Sequence, residues 1–446
     1  MTSLLIIKTK LKALASRQGL RKYLANTSWL MVERIFRMVV MLFVGIYIAR
    51  YLGPGNFGLL SYALSFSGLF LALATLGLDG IVVRELVKEP EQRDKLLGTA
   101  FWLKLGGTAM MWIMIAAVTP MMGHDTQTNI LIAICALAAV FQAFNVIDFN
   151  FQAEVKSKYV VHAQLIQLVI SSIVKLVFIA IEAPLAWFAW AFCLDALLLA
   201  SGFVVMYWRK SGNPFCWKWN PQIAAKLMRN CWPLILSGVV ISIYMKIDQV
   251  MINSMMGAEA VGVYAAAVRL SEAWYFIPVV ITSSVFPAII NSKAQDETRY
   301  YQQLKKLYNL MAWLAITIAL PISILAPWII EILYGPDYAG AASVLTIHIW
   351  AGVFVFIGVA SSKWLLNENL QIYTTINTSI GAAVNVTLNY YLIPLHGITG
   401  AAAATLVSFA IAGYLSHALF GKTRGNFIRL TNSLFPVRML NVKGNR

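Results

Sequence analysis

Charge is scarce in this chain. Only 12% of its 446 residues are Asp, Glu, Lys or Arg, about half the share of an ordinary soluble domain. With a mean hydropathy of +0.71, that shortage excludes a soluble globular class. Cysteine is also sparse. Cys135 and Cys193 sit in apolar runs, Cys216 and Cys231 in a basic loop, and their spacing suits neither a disulfide framework nor a zinc site. No Gly-x-x-x-x-Gly-Lys-Ser/Thr phosphate loop occurs, which argues against ATP hydrolysis. No Ser/His/Asp, metal-ligand or paired-carboxylate constellation stands in an accessible loop, so neither an enzyme nor a cofactor or metal is expected. A cleaved signal peptide is not expected either, because residues 4–7 are too short an apolar patch and basic residues follow.

Long apolar runs take the place of the missing charge. Twelve spans are expected, at roughly 29–50, 57–82, 96–121, 129–153, 159–182, 184–208, 232–255, 258–290, 307–330, 341–363, 373–394 and 399–420. Each is near the ~20 residues that a bilayer requires. Pro278 predicts a kink in the overlong eighth. The fold class is an all-α polytopic membrane protein with about 12 transmembrane helices. No stretch between spans is long enough for a soluble domain.

In a soluble protein the net charge of +16 would suggest nucleic acid. Here the basic residues instead alternate from loop to loop. All but seven of the 35 Lys and Arg fall in the first 28 residues, in the loops at 83–95, 154–158, 209–231 and 291–306, at Lys363, or beyond residue 420. The intervening loops, near 51–56, 122–128, 182–184, 256–257, 331–340 and 395–398, contain none. The positive-inside rule therefore predicts both termini on the cytoplasmic side, and no nucleic-acid partner. Residues 1–28 read as a basic amphipathic segment on the anionic leaflet or, equally, as a tail that only sets topology.

An internal repeat divides the chain. Gly53-Pro-Gly-Asn-Phe-Gly-Leu-Leu-Ser-Tyr-Ala aligns with Gly257-Ala-Glu-Ala-Val-Gly-Val-Tyr-Ala-Ala-Ala at an offset of 204, and a Trp precedes each hairpin, Trp29 and Trp232. The expected domains are a cytoplasmic segment 1–28, a six-helix lobe 29–208, a connecting loop 209–231, a second six-helix lobe 232–420 and a basic tail 421–446. Two such lobes around a central cavity are a recurrent transporter plan.

The informative charges lie inside the spans. Arg34, Arg37, Lys104, Lys175, Lys246 and Arg269 are basic, whereas Glu33, Asp195, Asp248 and Glu272 are acidic. A charge at that depth costs from about 2.5 to well over 10 kcal/mol, so it faces a wet cavity or a partner. Glu33 and Arg37 share a helical face, as do Arg269 and Glu272, whereas Lys246 and Asp248 are two residues apart and do not face each other. One reading has these charges pair across helices and hold the bundle together. The other has the excess of positives line a cavity for a substrate carrying phosphate, which arginine binds bidentately. Glu33, Asp195, Asp248 and Glu272 then serve ion coupling or charge pairing. His348 in the tenth span reads as structural more readily than as a proton carrier.

Ala49-Arg-Tyr-Leu-Gly-Pro-Gly-Asn-Phe-Gly, the helix with Lys246-Ile-Asp248, and Gly257 to Glu272 together resemble the Wzx-type O-antigen and polysaccharide flippases. These belong to the multidrug/oligosaccharidyl-lipid/polysaccharide exporter superfamily, and the resemblance covers essentially the whole chain. It implies a multi-pass protein of the bacterial inner membrane with two lobes in a V, working by alternating access. The implied substrate is an oligosaccharide repeat unit on undecaprenyl pyrophosphate, moved from the cytoplasmic to the periplasmic leaflet. Implied partners are the lipid bilayer and, beyond it, the polysaccharide polymerase and chain-length machinery. Related lipid II flippases hold the pyrophosphate with basic residues on the first, second and eighth helices. Arg34 and Arg37 match the first of these positions and Arg269 the eighth, and no basic residue lies inside the second helix. Lys104, Lys175 and Lys246 would draw in acidic glycans. Two alternatives stay open: an exporter of organic cations, which would need an excess of interior carboxylates, and a non-transporting scaffold of a glycan assembly complex.

Overall fold

The structure is a computed structural model that describes residues 18–293 and 296–434, with side chains from Glu33 onward except Arg34 and Pro287. Most of the basic segment 1–28, the Arg34 side chain and the tail residues Arg438, Lys443 and Arg446 lie outside the described residues. The described chain is helical and carries no strand. In order, the helices are α1 (Gln18–Leu69), α2 (Leu71–Thr75), α3 (Asp79–Lys88), α4 (Arg93–Val118), α5 (Thr126–Phe141), α6 (Val146–Ala153), α7 (Lys158–Ala180) and α8 (Leu185–Lys210). There follow α9 (Pro221–Met256), α10 (Ala258–Glu272), α11 (Phe276–Lys293), α12 (Glu297–Tyr334), α13 (Ala341–His348), α14 (Ala351–Asn367), α15 (Ile372–Gly413) and α16 (Gly421–Leu434).

Among the described residues, ten helical runs are long and apolar enough to cross a membrane. Two of them, in α1 and α15, are interrupted by a glycine with non-helical backbone, Gly53 and Gly397. A straight helix of α1's 52 residues would be about 78 Å long, more than twice the ~30 Å hydrocarbon core. The division into twelve spans places its boundaries at these same two glycines. Pro278 breaks the eighth expected span in a particular way. The break falls at residues 273–275, and Pro278 occupies the first turn of α11, where a missing N–H costs nothing.

Contacts group the chain into two compact units. One holds the residues up to Met41 with Phe70–Leu236, and the other holds Leu42–Leu69 with Ser237 onward. The unit boundaries thus fall inside α1 and α9, and the hairpin around Gly53 packs with the second half of the sequence. Leu78, Val82, Leu97, Val146, Phe151 and Leu227 are core residues of the first unit. Tyr300, Leu304, Tyr308, Met311, Ile357 and Leu430 are core residues of the second.

In the first unit, α3 is stapled to the start of α9. The Glu85 carboxylate, only 2% exposed, meets Lys226 Nζ at 2.6 Å and Arg84 at 2.9 Å. Hydrogen bonding from Lys226 holds the Glu85 carboxyl below the usual carboxylate range. In the second unit, α16 forms the first fourteen residues of the expected tail and docks through a buried polar chain. Tyr308 donates to Asn426 at 2.9 Å, Asn426 donates to Ser361 at 2.8 Å, and Ser361 meets His417 at 2.8 Å.

The repeat has a structural counterpart in the second unit. Gly53 (φ 68°, ψ 169°) and Gly257 (φ 88°, ψ 177°) share a backbone conformation that is essentially confined to glycine. Gly335 (φ 89°, ψ 179°) repeats it at the end of α12. Five residues after the first two come Gly58 and Gly262, and these two pack against each other. A Cβ on Gly58 would run into the Ala258 carbonyl, and one on Gly262 into the Pro54 carbonyl. The third turn joins the same cluster. Tyr338 donates to the Ala49 carbonyl at 2.6 Å, and Arg50 donates to the Ile332 carbonyl at 3.3 Å. Both acceptors are main-chain carbonyls in the turn just before a glycine with non-helical backbone, Gly53 and Gly335.

Candidate functional site

The interior charges fall into two groups. In the first unit they are paired. Arg37 meets Glu33 one turn away at 2.5 Å. Lys104 is 1% exposed, with Asp79 at 3.7 Å and the Phe149 ring at 5.0 Å. Lys175 meets Asp195 at 2.5 Å and lies 4.8 Å from the Phe192 ring, while Gln167 donates to the same carboxylate at 3.4 Å. Breaking such a pair would leave a buried charge uncompensated. Each of these residues therefore has a structural role, whatever else it does.

In the second unit the cations lack such partners. Among the described residues, neither Lys246 nor Arg269 has a carboxylate within the 4.0 Å of an ion pair. Arg269 and Glu272 share a face of α10 yet point to different places. Helical side chains lean toward the N-terminus, so Arg269 reaches back toward the glycine turns. Its guanidinium lies 4.5 Å above the Phe57 ring, and a Cβ on Gly45 would stand 3.1 Å from its Nη1. Phe57 meets Tyr338 edge-on at 6.2 Å, and Tyr338 lies 5.3 Å from Tyr334. The buried Tyr334 hydroxyl has no hydrogen-bond partner among the described residues. Together these make a half-buried guanidinium in an aromatic setting with donors to spare.

Glu272, one turn further on, lines a cavity of about 10 Å³ together with Asp248, Tyr264, His348 and Thr405, the space of about one water-sized sphere. Asp248 is 6% exposed and accepts three hydrogen bonds, from Asn389 Nδ2 at 2.6 Å, Thr405 Oγ1 at 2.5 Å and the Tyr264 hydroxyl at 2.8 Å. All three donors are neutral, and Asn385 extends the set by donating to Ser408 and accepting from Asn389. His348 Nδ1 sits 2.9 Å from Ser271 Oγ. Two carboxylates at one small cavity, with neutral donors on one of them, can take up a proton or a small monovalent cation. Sequence reasoning singled out Asp248 and Glu272 but missed Tyr264, Asn389 and Thr405. Asn385 and Asn389, four residues apart in an apolar run, were the available signal.

The model of a family described as polysaccharide biosynthesis protein matches residues 23–293, more than half of the chain. The protein belongs to that family. A second family model, MatE, matches residues 233–391, the part that holds Asp248, Arg269 and Glu272. Among curated relatives, the probable flippase AglR of Haloferax volcanii is 24% identical over 39% of this chain and 37% of its own length. The teichuronic acid biosynthesis protein TuaB of Bacillus subtilis is 18% identical over 60% of this chain and 56% of its own. The matches thus span about a third to a half of these relatives. Among solved structures, a lipid II flippase MurJ in an inward closed conformation superposes with a TM-score of 0.72 at 16% identity, covering 92% of this chain and 93% of that one. An inward-facing MATE family multidrug resistance transporter of the MOP superfamily gives 0.72 at 15% identity, covering 89% and 96%. At those identities the likeness is one of fold, all-helical and polytopic.

Proposed function

We propose that this protein is a flippase. In this reading it moves oligosaccharide repeat units linked to undecaprenyl pyrophosphate, of O-antigen or a related surface polysaccharide, from the cytoplasmic to the periplasmic leaflet by alternating access. It sits in the bacterial inner membrane with both termini cytoplasmic and hands its product to the polymerase and chain-length machinery. The observation that carries the reading is Arg269, a guanidinium inside an apolar segment with a ring at 4.5 Å and, among the described residues, no carboxylate within ion-pair distance. A pyrophosphate supplies the missing countercharge, and the fork of the guanidinium matches phosphate oxygens. Arg34 and Arg37 on α1 are proposed as further phosphate ligands, and Lys246 as a contact for acidic sugars. Arg37, already paired with Glu33, and Lys104 and Lys175, each already paired with an aspartate, are weaker candidates than Arg269.

Movement in one direction needs a bias between two states, and a ligand supplies one only by binding them unequally. We assign that role to a cation or proton at Asp248 and Glu272, with Asp195 and Glu33 kept as charge partners. Asp248→Asn keeps the shape and most of the hydrogen bonds. It is expected to make transport insensitive to an imposed proton or sodium gradient, and an unchanged gradient dependence would remove the assignment.

The direct test is leaflet orientation. Inverted vesicles are loaded with undecaprenyl-pyrophosphate-linked repeat units, and a lumenal probe reports their arrival with and without the protein. Protein-dependent arrival supports a flippase. The MatE match favours a second reading, an exporter of organic cations. Efflux of a cationic dye with no movement of lipid-linked glycan would establish that one. Neither movement nor efflux, from protein shown to be folded, would point to a scaffold.

A further inference from the structure

The ten residues between α8 and α9 present, among the described residues, the most exposed aromatic side chain of an interhelical loop on a hydrogen-bonded support. Phe215 is 90% exposed, Trp219 50%, and Trp208 at the end of α8 65%. The loop beneath them is tied down along its length. Asn213 Oδ1 accepts from the Phe215 amide at 3.0 Å and so starts a short 3-10 turn over Pro214–Cys216. Trp217 packs inward between Phe101 (5.5 Å) and Tyr207 (5.6 Å) and donates to the Tyr207 hydroxyl at 3.3 Å. The Lys218 amide donates to the Asp94 carbonyl at 3.2 Å, and the Asn220 amide to Thr99 Oγ1 at 3.0 Å. Gly98 permits the close approach, since a Cβ there would lie 2.6 Å from the Lys218 nitrogen. A loop held this firmly gains nothing for its own fold by leaving Phe215 bare.

We propose that residues 211–219 are an interfacial anchor that seats Phe215 and Trp219 in the headgroup region of an anionic bilayer. Three observations select that occupant. Both flanking helices are spanning candidates, ending at Lys210 and starting at Pro221, so the loop cannot stand far from the bilayer surface. Arg209, Lys210 and Lys218 are exposed around the aromatics, and no Asp or Glu occurs between residues 209 and 229. Indole and phenyl groups flanked by lysine and arginine are what a membrane–water interface retains. The anchor fixes the depth at which the first unit rides in the bilayer.

Cys216 gives the test a handle, because it is exposed while Cys135, Cys193 and Cys231 are buried. The full-length protein is labelled there with an environment-sensitive fluorophore and reconstituted into vesicles of phosphatidylcholine with phosphatidylglycerol. Some of the lipid carries a quencher either near the glycerol or deep in the acyl chain. Blue-shifted emission, quenched by the shallow label and weakened in pure phosphatidylcholine, is expected. Phe215→Asp should return the emission to its aqueous position, whereas Phe215→Leu should keep most of the shift. Helix content and elution volume confirm the fold of each variant. Aqueous emission without quenching in the unaltered protein would overturn the proposal. If the label were then shielded only on adding a cytosolic protein fraction, the loop would be a protein-docking site instead.

Discussion

Gly58→Ala is expected to lower the thermal stability of the purified protein sharply. The new methyl group would overlap the Ala258 carbonyl and stand 2.9 Å from the Gly262 amide nitrogen. Both obstacles are backbone, so no rotamer change relieves them, and α1 and α10 must move apart. Overpacking a tight contact costs about 1–3 kcal/mol and occasionally more, and this site belongs at the upper end. Gly262→Ala should behave alike through the Pro54 carbonyl. The double variant should cost less than the two added together, because the first substitution has already opened the contact that the second needs. Gly55→Ala is the control. A Cβ there meets nothing within 4 Å, and alanine in a helix gains about 0.5–1 kcal/mol over glycine. Melting curves for the four variants and the unaltered protein in one detergent decide the matter. A Gly58→Ala midpoint equal to that of Gly55→Ala would show that the two helices do not depend on this contact.

Arg269→Ala separates stability from transport. Among the described residues its guanidinium has no carboxylate within ion-pair distance, so removing it takes an uncompensated charge out of an apolar segment. The melting temperature should hold or rise. Protein-dependent movement of the lipid-linked glycan should fall by about thirtyfold or more, the effect of losing a charge contact worth ~2 kcal/mol at the lower end of such losses. Arg269→Lys keeps the charge without the fork and should fall between the two. If Arg269→Ala lost stability and transport in proportion, the residue would be structural, and the phosphate assignment would fail with it.

The parts of this molecule visible in the sequence are those that a short window can carry. Apolar runs of spanning length, the alternation of basic loops and the Gly53/Gly257 repeat all depend on near neighbours. So does the isolation of charges within spans. Which of those charges are neutralised depends on pairs about twenty or more residues apart, Lys175 with Asp195 and Lys104 with Asp79, and no periodicity reveals them. The start of α9 falls inside the connecting loop expected at 209–231, where Lys226 and Arg229 interrupt the apolar run. It is nonetheless a helix whose Leu227 and Cys231 are buried. α16 escaped for the opposite reason, since the face it buries includes Thr423, Asn426 and Ser433. A helix docked through hydrogen bonds has no apolar stripe to find. The donors around Asp248, itself on α9, come from α10 and from both sides of the Gly397 break in α15, and only folding brings them together.

The glycine crossing has a consequence for how the protein is made. Gly58 leaves the ribosome about 200 residues ahead of Gly262, which at ~5–20 residues per second is a wait of roughly 10–40 s. Over that interval the hairpin around Gly53 is already made, while its partners on α10 and the turn after Gly335 do not yet exist. Its bare glycine face must be tolerated by lipid or shielded by the insertion machinery. Assembly of the second unit therefore begins with a piece that emerged first and is completed only when the second half of the chain reaches it.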